Sequence, residues 1–475
     1  VYERVALTFD ERPVPPIAAG AFVYTAGSDG VVRCLRLGDG ETVWRFVAEG
    51  PVLTSPAYAK GLLFVPGCDG WVYALDAAKG QLAWKRRLAP MERQILLFDQ
   101  LMSTWPVLSL AVKDGVVYAA AGHMRTDGGK AFALDGATGE VIWSHFCKPS
   151  TEDLPDGRHW QVLDVAGFGG CTTLVGERVW FGGFDTQPLV LDAASGKPSE
   201  AIAALRQRLN DRRAWENWYN AVKTHSIMAM KGRDLIPLDD TAVLVGGIDL
   251  FYNQHMGDAG RAFGYKLFST SKDGDWTIDP LPSLILSSGA APVCAVCDQD
   301  LCVTSGTMGY TDYDFQKIAK KKFSNQKEIN KWRWDHAKPS AWDLSGMVEA
   351  ARTKGTVSPK WKHFREGSIL PEDRLWAYEG GGRIVALSGN AVLLTHYRGR
   401  KDRPGGRLKS AKDAQEPQYR VEGWDLKAVD RKTGEELWML PLPAEPLHSG
   451  IAIARDGTIL VTLRDGTVMA VGEAK

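Results

Sequence analysis

The sequence predicts an all-β fold: a single closed β-propeller of about eight four-stranded blades, with helical insertions on one face. Apolar and polar residues alternate over short runs bounded by glycine, which is typical of strands joined by tight turns. The 50 glycines and 24 prolines suit a chain with many such turns. A motif of the form Ala-x-Asp-x-x-x-Gly-x-x-x-Trp also recurs, and the first two copies lie about 40 residues apart, which is the length of one blade.

The clearest copy of the motif lies in the segment 65–84, which reads as three strands separated by two tight turns. Three copies are complete: Ala74, Asp76, Gly80 and Trp84; Ala133, Asp135, Gly139 and Trp143; Ala428, Asp430, Gly434 and Trp438. Two are degraded: Cys34, Arg36, Gly40 and Trp44; Val190, Asp192 and Gly196. The motif resembles the tryptophan-docking repeat of the PQQ-like β-propeller superfamily, which includes quinoprotein alcohol dehydrogenases and the propeller lipoprotein of outer-membrane assembly. The resemblance implies a periplasmic or extracellular location.

The predicted blades follow the chain in order. They cover about 14–46, 52–86, 107–146, 171–192, 227–268, 292–305, 384–440 and 451–471. The last blade lacks one strand and residues 2–9 form a lone strand, so we expect the two to pair and close residues 1–475 into one domain. The count falls to seven if the sixth is not a true blade. Helices are predicted in the insertion 198–222, and the insertion 307–373 is basic and rich in tryptophan.

The bulk composition excludes several classes of partner. The chain carries 57 basic and 57 acidic residues, so no global charge directs it to nucleic acid. No run of 18 apolar residues predicts a transmembrane segment. Because the sequence begins at Val1 without methionine, we expect that a leader has been removed or that it belongs to a longer chain or complex.

The chain contains seven cysteines, which include the pair Cys294-x-x-Cys297. We interpret these two as buried free thiols, because residues three apart in a strand point to opposite faces.

The connections between strands divide into two sets. One set joins the first strand of each predicted blade to the second and the third strand to the fourth, and these connections are minimal. The other set joins the second strand to the third and each blade to the next, and the long insertions fall in this set. Because loops on a rigid scaffold carry function, we expect the site on the face with the long connections. The candidate catalytic residues there are His123, Arg125, Tyr252, His255, Tyr310, Tyr397 and Arg398. The candidate binding residues are Asp185, Asn253, Tyr313, Lys331, Trp332, Arg333 and Trp334.

These residues admit three functions. The first is a binding or scaffold module that recognises a protein or glycan. The second is a carbohydrate-active enzyme such as a lyase acting on an anionic polysaccharide, with histidine or tyrosine as acid and base and arginine neutralising a uronate carboxylate. The third is a PQQ-dependent dehydrogenase, for which the resemblance implies a quinone stacked on a disulfide of adjacent cysteines beside calcium. Since no Cys-Cys pair occurs, neither PQQ nor another cofactor is predicted.

Overall fold

The computed structural model describes residues 14–97, 100–123, 127–147, 167–183, 188–198, 234–247, 264–270, 276–279, 284–285, 295–305, 307–308, 338–343, 374–401 and 419–472, with 324, 325, 328 and 345. The sequence-based expectations for residues 2–9 and 199–222 lie outside these ranges. The prediction of an all-β chain is confirmed. No helix with the length and apolar character needed to cross a membrane occurs in these ranges.

Eight antiparallel sheets of three or four strands follow one another in the described part of the chain, and the strands of each pair in the order in which they occur along it. The first sheet contains β1 (Ile17–Ala19), β2 (Phe22–Thr25), β3 (Val31–Arg36) and β4 (Thr42–Val47). The second contains β5 (Ala57–Ala59), β6 (Leu62–Pro66), β7 (Trp71–Asp76) and β8 (Leu82–Arg87), and a separate hairpin of β9 (Gln94–Leu97) and β10 (Gln100–Ser103) follows it. The third contains β11 (Val107–Lys113), β12 (Val116–Ala121), β13 (Gly129–Asp135) and β14 (Val141–Cys147).

The remaining sheets continue this order. The fourth contains β15 (Phe168–Val175), β16 (Arg178–Gly183) and β17 (Leu189–Asp192), and the fifth contains β18 (Asp234–Asp239), β19 (Ala242–Gly247), β20 (Gly264–Thr270) and β21 (Trp276–Asp279). A short pair links β22 (Leu284–Ile285) with β25 (Thr307–Met308) around the start of the sixth sheet, which contains β23 (Ala295–Cys297), β24 (Leu301–Ser305), β26 (Pro339–Asp343) and β27 (Arg374–Ala377). The seventh contains β28 (Arg383–Leu387), β29 (Ala391–Lys401), β30 (Tyr419–Asp430) and β31 (Glu436–Leu442), and the eighth contains β32 (Pro446–Ile453), β33 (Ile459–Leu463) and β34 (Val468–Val471).

The first strand of each sheet contacts the first strand of the next. These contacts run from β1 through β5, β11, β15, β18, β23 and β28 to β32, and β32 contacts β1. Apolar side chains fill the space between neighbouring sheets. Strands such as β7 and β12 are therefore buried on both faces, by the sheet before and the sheet after their own. Similar cores lie between the sixth and seventh and between the seventh and eighth sheets.

Three tryptophans of the repeat motif, and Trp376 of β27, bind the following sheet rather than their own. Four indole N–H groups each donate a hydrogen bond of 2.9–3.0 Å to a backbone carbonyl of the next sheet: Trp44 to Ala77, Trp84 to Gly136, Trp143 to Ala193 and Trp376 to Arg431. Their rings lie against Gly80, Gly139, Gly196 and Gly434 respectively. The motif therefore joins one sheet to the next along the chain.

The other motif positions shape the turn that receives this ring. The Asp135 carboxylate accepts hydrogen bonds from the backbone N–H groups of Thr138 and Ala137, at 2.8 and 2.9 Å. The Thr138 N–H group is the main cause that lowers the pKa of Asp135. Gly139 has a φ of +72°, and a Cβ there would lie 2.6 Å from Cε3 of Trp84. The position thus requires glycine both for its backbone conformation and for the approach of the ring.

The sixth sheet divides the segment 307–373, which the sequence presents as one basic insertion. β26 lies within it, and Trp342 of that strand, which the sequence groups with the basic and aromatic residues, is fully buried in the sheet. The connection 306–338 therefore joins the second and third strands, whereas 344–373 joins the third and fourth. This second connection leaves the sheet at the end where the other connections of its kind are short turns, so the long connections do not all lie at one end.

Candidate functional site

The structure describes three of the fourteen candidate residues. His123 lies two residues after the end of β12 and is partly exposed, Tyr397 pairs with Trp424 in the backbone register of β29 and β30, and Arg398 is exposed on β29. The other eleven lie outside the described residues: Arg125, Asp185, Tyr252, Asn253, His255, Tyr310, Tyr313, Lys331, Trp332, Arg333 and Trp334. They stay predictions.

Arg398 belongs to a polar cluster on the face of the seventh sheet that packs towards the sixth. We call it the Asp425 cluster; its members are Tyr378, His396, Arg398, Asp425, Lys427 and Glu436. β29 and β30 extend well beyond the neighbouring strands, and their register places His396 opposite Asp425 and Leu394 opposite Lys427. The cluster therefore continues the face that carries the apolar side chains Val392 and Leu394.

Asp425 is the buried centre of this cluster, with no exposed surface. Arg398 Nε lies 3.0 Å from each carboxylate oxygen of Asp425, and His396 Nδ1 lies 3.6 Å from its Oδ2. The guanidinium also covers Gly423, where a Cβ would lie 2.5 Å from Arg398 Nη2. Burial and the Lys427 charge lower the pKa of His396, which favours a neutral imidazole at neutral pH.

A second ion pair completes the cluster. Lys427 Nζ lies 3.2 Å from Tyr378 Oη and 3.6 Å from Glu436 Oε2, and the Tyr378 hydroxyl donates to the same carboxylate. Burial and this carboxylate raise the pKa of Tyr378 well above its usual value, so the phenol stays protonated. Two cations thus face two carboxylates, and the arrangement is suited to holding the base of the long β29–β30 hairpin rather than to binding a further anion.

Sequence reasoning missed Asp425 and Lys427. A signal was present, because both occupy alternate positions of the segment 423–429, whose other residues are apolar or glycine, and a charged residue at such a position needs a buried partner. By contrast, the aspartates of the turns 27–30 and 67–70 bind their own turns. Asp29 Oδ1 accepts from the Val31 N–H, and Asp69 accepts from the Trp71 N–H and the Tyr73 hydroxyl.

A different surface lies on the β9–β10 hairpin, between the second and third sheets. Leu96 and Leu101 face each other across its two strands and are 72% and 56% exposed, and Met91 nearby is 54% exposed. The opposite side is anchored, because Met102 is buried with Leu53, Cys68 and Leu108.

Backbone hydrogen bonds hold this hairpin in place. The Ser103 N–H donates to the Cys68 carbonyl at 2.8 Å, and the Thr104 N–H donates to the Arg93 carbonyl at 2.9 Å. Cys68 belongs to the turn between β6 and β7, so the hairpin lies at the end of the second sheet from which its long connection leaves. It therefore presents an apolar pair on a fixed support.

Comparison with known proteins bears on the repeat region. A PQQ-type family model, described as "Outer membrane protein assembly factor BamB", matches residues 4–196, less than half of the chain. The resemblance to PQQ-like repeats is confirmed. Among curated relatives, the outer membrane protein assembly factor BamB of Yersinia pestis is 31% identical over 31% of this chain and 37% of its own length. The dehydrogenase subunit of a quinone alcohol dehydrogenase from Gluconobacter oxydans is 26% identical over 30% of this chain and 20% of its own length.

A solved structure was also found to be similar to this chain. The crystal structure of BamB from Moraxella catarrhalis covers 96% of this chain with a TM-score of 0.45 and 12% identity. For the two curated relatives above, the matched region covers less than half of the relative's own length.

Proposed function

We propose that this chain is an extracytoplasmic β-propeller scaffold that binds a partner protein through the exposed apolar side of the β9–β10 hairpin. In this proposal the eight sheets close into one eight-bladed ring, supported by the sequence of contacts between their first strands and by the contact of β32 with β1. The expected pairing of residues 2–9 with the eighth sheet supplies that sheet's fourth strand.

The observation that carries the proposal is the pair Leu96 and Leu101. Single exposed apolar residues are common on protein surfaces, but a cross-strand pair held out on an anchored hairpin offers a contiguous apolar contact. Such contacts, surrounded by polar groups, are typical of the centres of protein interfaces. Glu92 and Arg93, both exposed beside Met91, provide the polar surroundings.

The names of the relatives support a scaffold role and an extracytoplasmic location. Two relatives, from Yersinia pestis and Burkholderia pseudomallei, are named outer membrane protein assembly factors, and their matches span 31% and 36% of this chain. We extend from this name only the class of function, protein binding during assembly at a membrane, and a periplasmic or extracellular location.

The carbohydrate-active alternative receives less support from the described residues. Its charge-neutralising arginine would be Arg398, whose guanidinium is already paired with the buried Asp425 carboxylate. Releasing it to a substrate carboxylate would leave Asp425 buried without its nearest cation, which is costly. The anionic polysaccharide is therefore kept as an outcome of the tests, and the PQQ cofactor is tested alongside it.

The test begins with a photo-crosslinking amino acid placed at Leu96 in the source cells. The same probe at Val47, which is 67% exposed on β4, serves as the matched control. We expect one protein to crosslink from position 96 and not from position 47. Leu96→Glu with Leu101→Glu should then weaken binding of that purified protein at least tenfold, because two apolar side chains lose their contact.

The proposal is wrong if both probes give the same products, or if the double variant binds as tightly as the Val47→Glu variant. Incubation with a panel of acidic polysaccharides tests the lyase alternative through the absorbance of unsaturated uronate products. A quinone absorption spectrum in the purified protein would instead support the dehydrogenase.

A further inference from the structure

Two cysteines of the sixth sheet lie side by side on neighbouring strands. Cys297 ends β23 and pairs directly with Cys302 of β24 in the antiparallel register. Their Sγ atoms are 2.6 Å apart. Two sulfur atoms that only touch stay farther apart than this, and a bonded pair is separated by about 2.05 Å.

The turn between these cysteines fixes their backbone geometry. The Asp298 N–H donates to the Leu301 carbonyl at 3.0 Å, and the Asp298 carboxylate accepts from the N–H groups of Asp300 and Leu301. Since Asp298 and Leu301 form a hydrogen-bonded pair, the adjacent pair of cysteines is the non-hydrogen-bonded kind. In that kind the Cα atoms lie about 4.5 Å apart, which is within the range that a disulfide can bridge.

We propose that Cys297 and Cys302 form a cross-strand disulfide, and that this disulfide stabilises the β23–β24 hairpin against the seventh sheet. The hairpin meets that sheet through Asp298, whose Oδ2 lies 2.5 Å from Arg431 Nη1. Arg431 in turn receives the indole N–H of Trp376 from the sixth sheet on its carbonyl. The proposed disulfide thus lies beside Arg431 of the seventh sheet, which binds the sixth sheet twice: through its guanidinium to Asp298 and through its carbonyl to Trp376.

The two cysteine residues differ in their exposure to solvent. Cys302 is fully buried and lies opposite the buried Trp342 in the next strand, whereas Cys297 is partly exposed. A small-molecule disulfide such as oxidised glutathione would therefore react first at Cys297. The Cys297 thiolate attacks one glutathione sulfur and releases one glutathione thiolate. The Cys302 thiolate then attacks Cys297 Sγ and releases the second.

The balance of this exchange is complete. Two protein thiols lose two electrons and two protons, and one glutathione disulfide becomes two glutathione thiols. Once formed, the bond is shielded on the side of Cys302, so we expect excess reduced glutathione to open it slowly in the folded chain.

The experiment maps the bond in the full chain. The purified native protein is incubated with oxidised glutathione, unfolded in iodoacetamide and cut with trypsin, which releases a peptide between Lys272 and Lys317 that contains all three cysteines of this region. An Asp-specific protease then cuts before Asp298 and Asp300, between the two cysteines. We expect one fragment with Cys297 and one with Cys302 to stay linked until a reductant is added, with Cys294 alkylated.

Each variant makes a separate statement about the pairing. Cys294→Ser should keep the linked fragments, and Cys302→Ser should lose them and leave Cys297 as its mixed disulfide with glutathione, or alkylated where it has not reacted. Oxidised wild type should also melt at a higher temperature than reduced wild type, with no such difference in Cys302→Ser. Alkylation of both Cys297 and Cys302 in oxidised wild type, or a link from either to Cys294, would overturn the proposal. The mapping uses wild-type protein and does not depend on the folding of a variant.

Discussion

Replacing Gly139 by alanine tests whether the docked tryptophan joins neighbouring sheets. The new Cβ would lie 2.6 Å from Cε3 and 2.7 Å from Cδ2 of Trp84, so the ring has to move. Gly40→Ala is the matched control. It has a φ of +74° in the equivalent turn, but its Cβ would have no heavy atom within 4 Å. Gly40→Ala should therefore lose stability only through backbone strain, whereas Gly139→Ala should lose it through the same strain and through displacement of the Trp84 ring.

The two costs can be separated. A non-glycine residue in the left-handed region costs about 1 kcal/mol, and this applies to both variants. Moving Trp84 breaks its 2.9 Å hydrogen bond to Gly136, which contributes about 1 kcal/mol. It also weakens packing against Phe64, whose ring centroid is 6.0 Å away, for about 1 kcal/mol more. We expect about 3 kcal/mol for Gly139→Ala and about 1 kcal/mol for Gly40→Ala.

The assay is urea unfolding followed by far-ultraviolet circular dichroism, with the change in free energy taken from the shift in midpoint at a common slope. A Trp84→Phe background provides a second check, because the excess cost of Gly139→Ala should shrink when the indole is absent. Equal destabilisation by Gly139→Ala and Gly40→Ala would refute the reasoning, since it would leave the ring no part in the coupling.

Two further predictions concern the Asp425 cluster. Arg398→Ala should destabilise the protein by about 1–3 kcal/mol, because Asp425 loses its nearest cation while half of the arginine side chain was already in solvent. Arg33→Ala, which breaks the exposed pair with Asp29, should cost less than about 1 kcal/mol in the same urea assay, and similar costs would contradict the role of burial. For His396, which faces Asp425, Lys427 and Arg398, the folded-state pKa lies below its ordinary value of 6.5, so the unfolded chain takes up the proton first. The contribution of the neutral His396 side chain to stability is therefore present above pH 6.5 and is lost as the pH falls towards the folded-state pKa. We expect His396→Asn to reduce this pH dependence of the free energy of unfolding. An unchanged pH profile would show that titration of the His396 imidazole does not cause it.

The repeat could be predicted from the sequence because its turn chemistry is local. Asp135 and Gly139 act on their own turn, so their roles follow from a few consecutive residues. The partner of each tryptophan could not be predicted in this way, because it lies one sheet further along. Trp376 shows the same limit, since the 30 residues between Asp343 and Arg374 separate it from the Ala341-x-Asp343 that begins its motif.

The candidate site was harder to predict. Arg398 was found because it follows a predicted strand, but its role depends on Asp425, 27 residues later and on the neighbouring strand. The proposed apolar interface also could not be recognised from the sequence. Leu96, Leu101 and Met102 read alike as apolar residues, and only the register and the anchoring of the hairpin separate the exposed pair from the buried methionine.

The docked tryptophans have a direction, and this has a consequence for how the molecule comes apart. Within the described residues they link the first sheet to the second, the second to the third, the third to the fourth and the sixth to the seventh. Trp438 of the seventh sheet remains 37% exposed, and the fourth sheet has no tryptophan at this position. Amide hydrogen exchange should therefore divide the chain into cooperative units. Sheets one to four would open together, as would sheets six and seven, and fluctuations would concentrate at the junctions on either side of the fifth sheet and at the junction of the seventh sheet with the eighth.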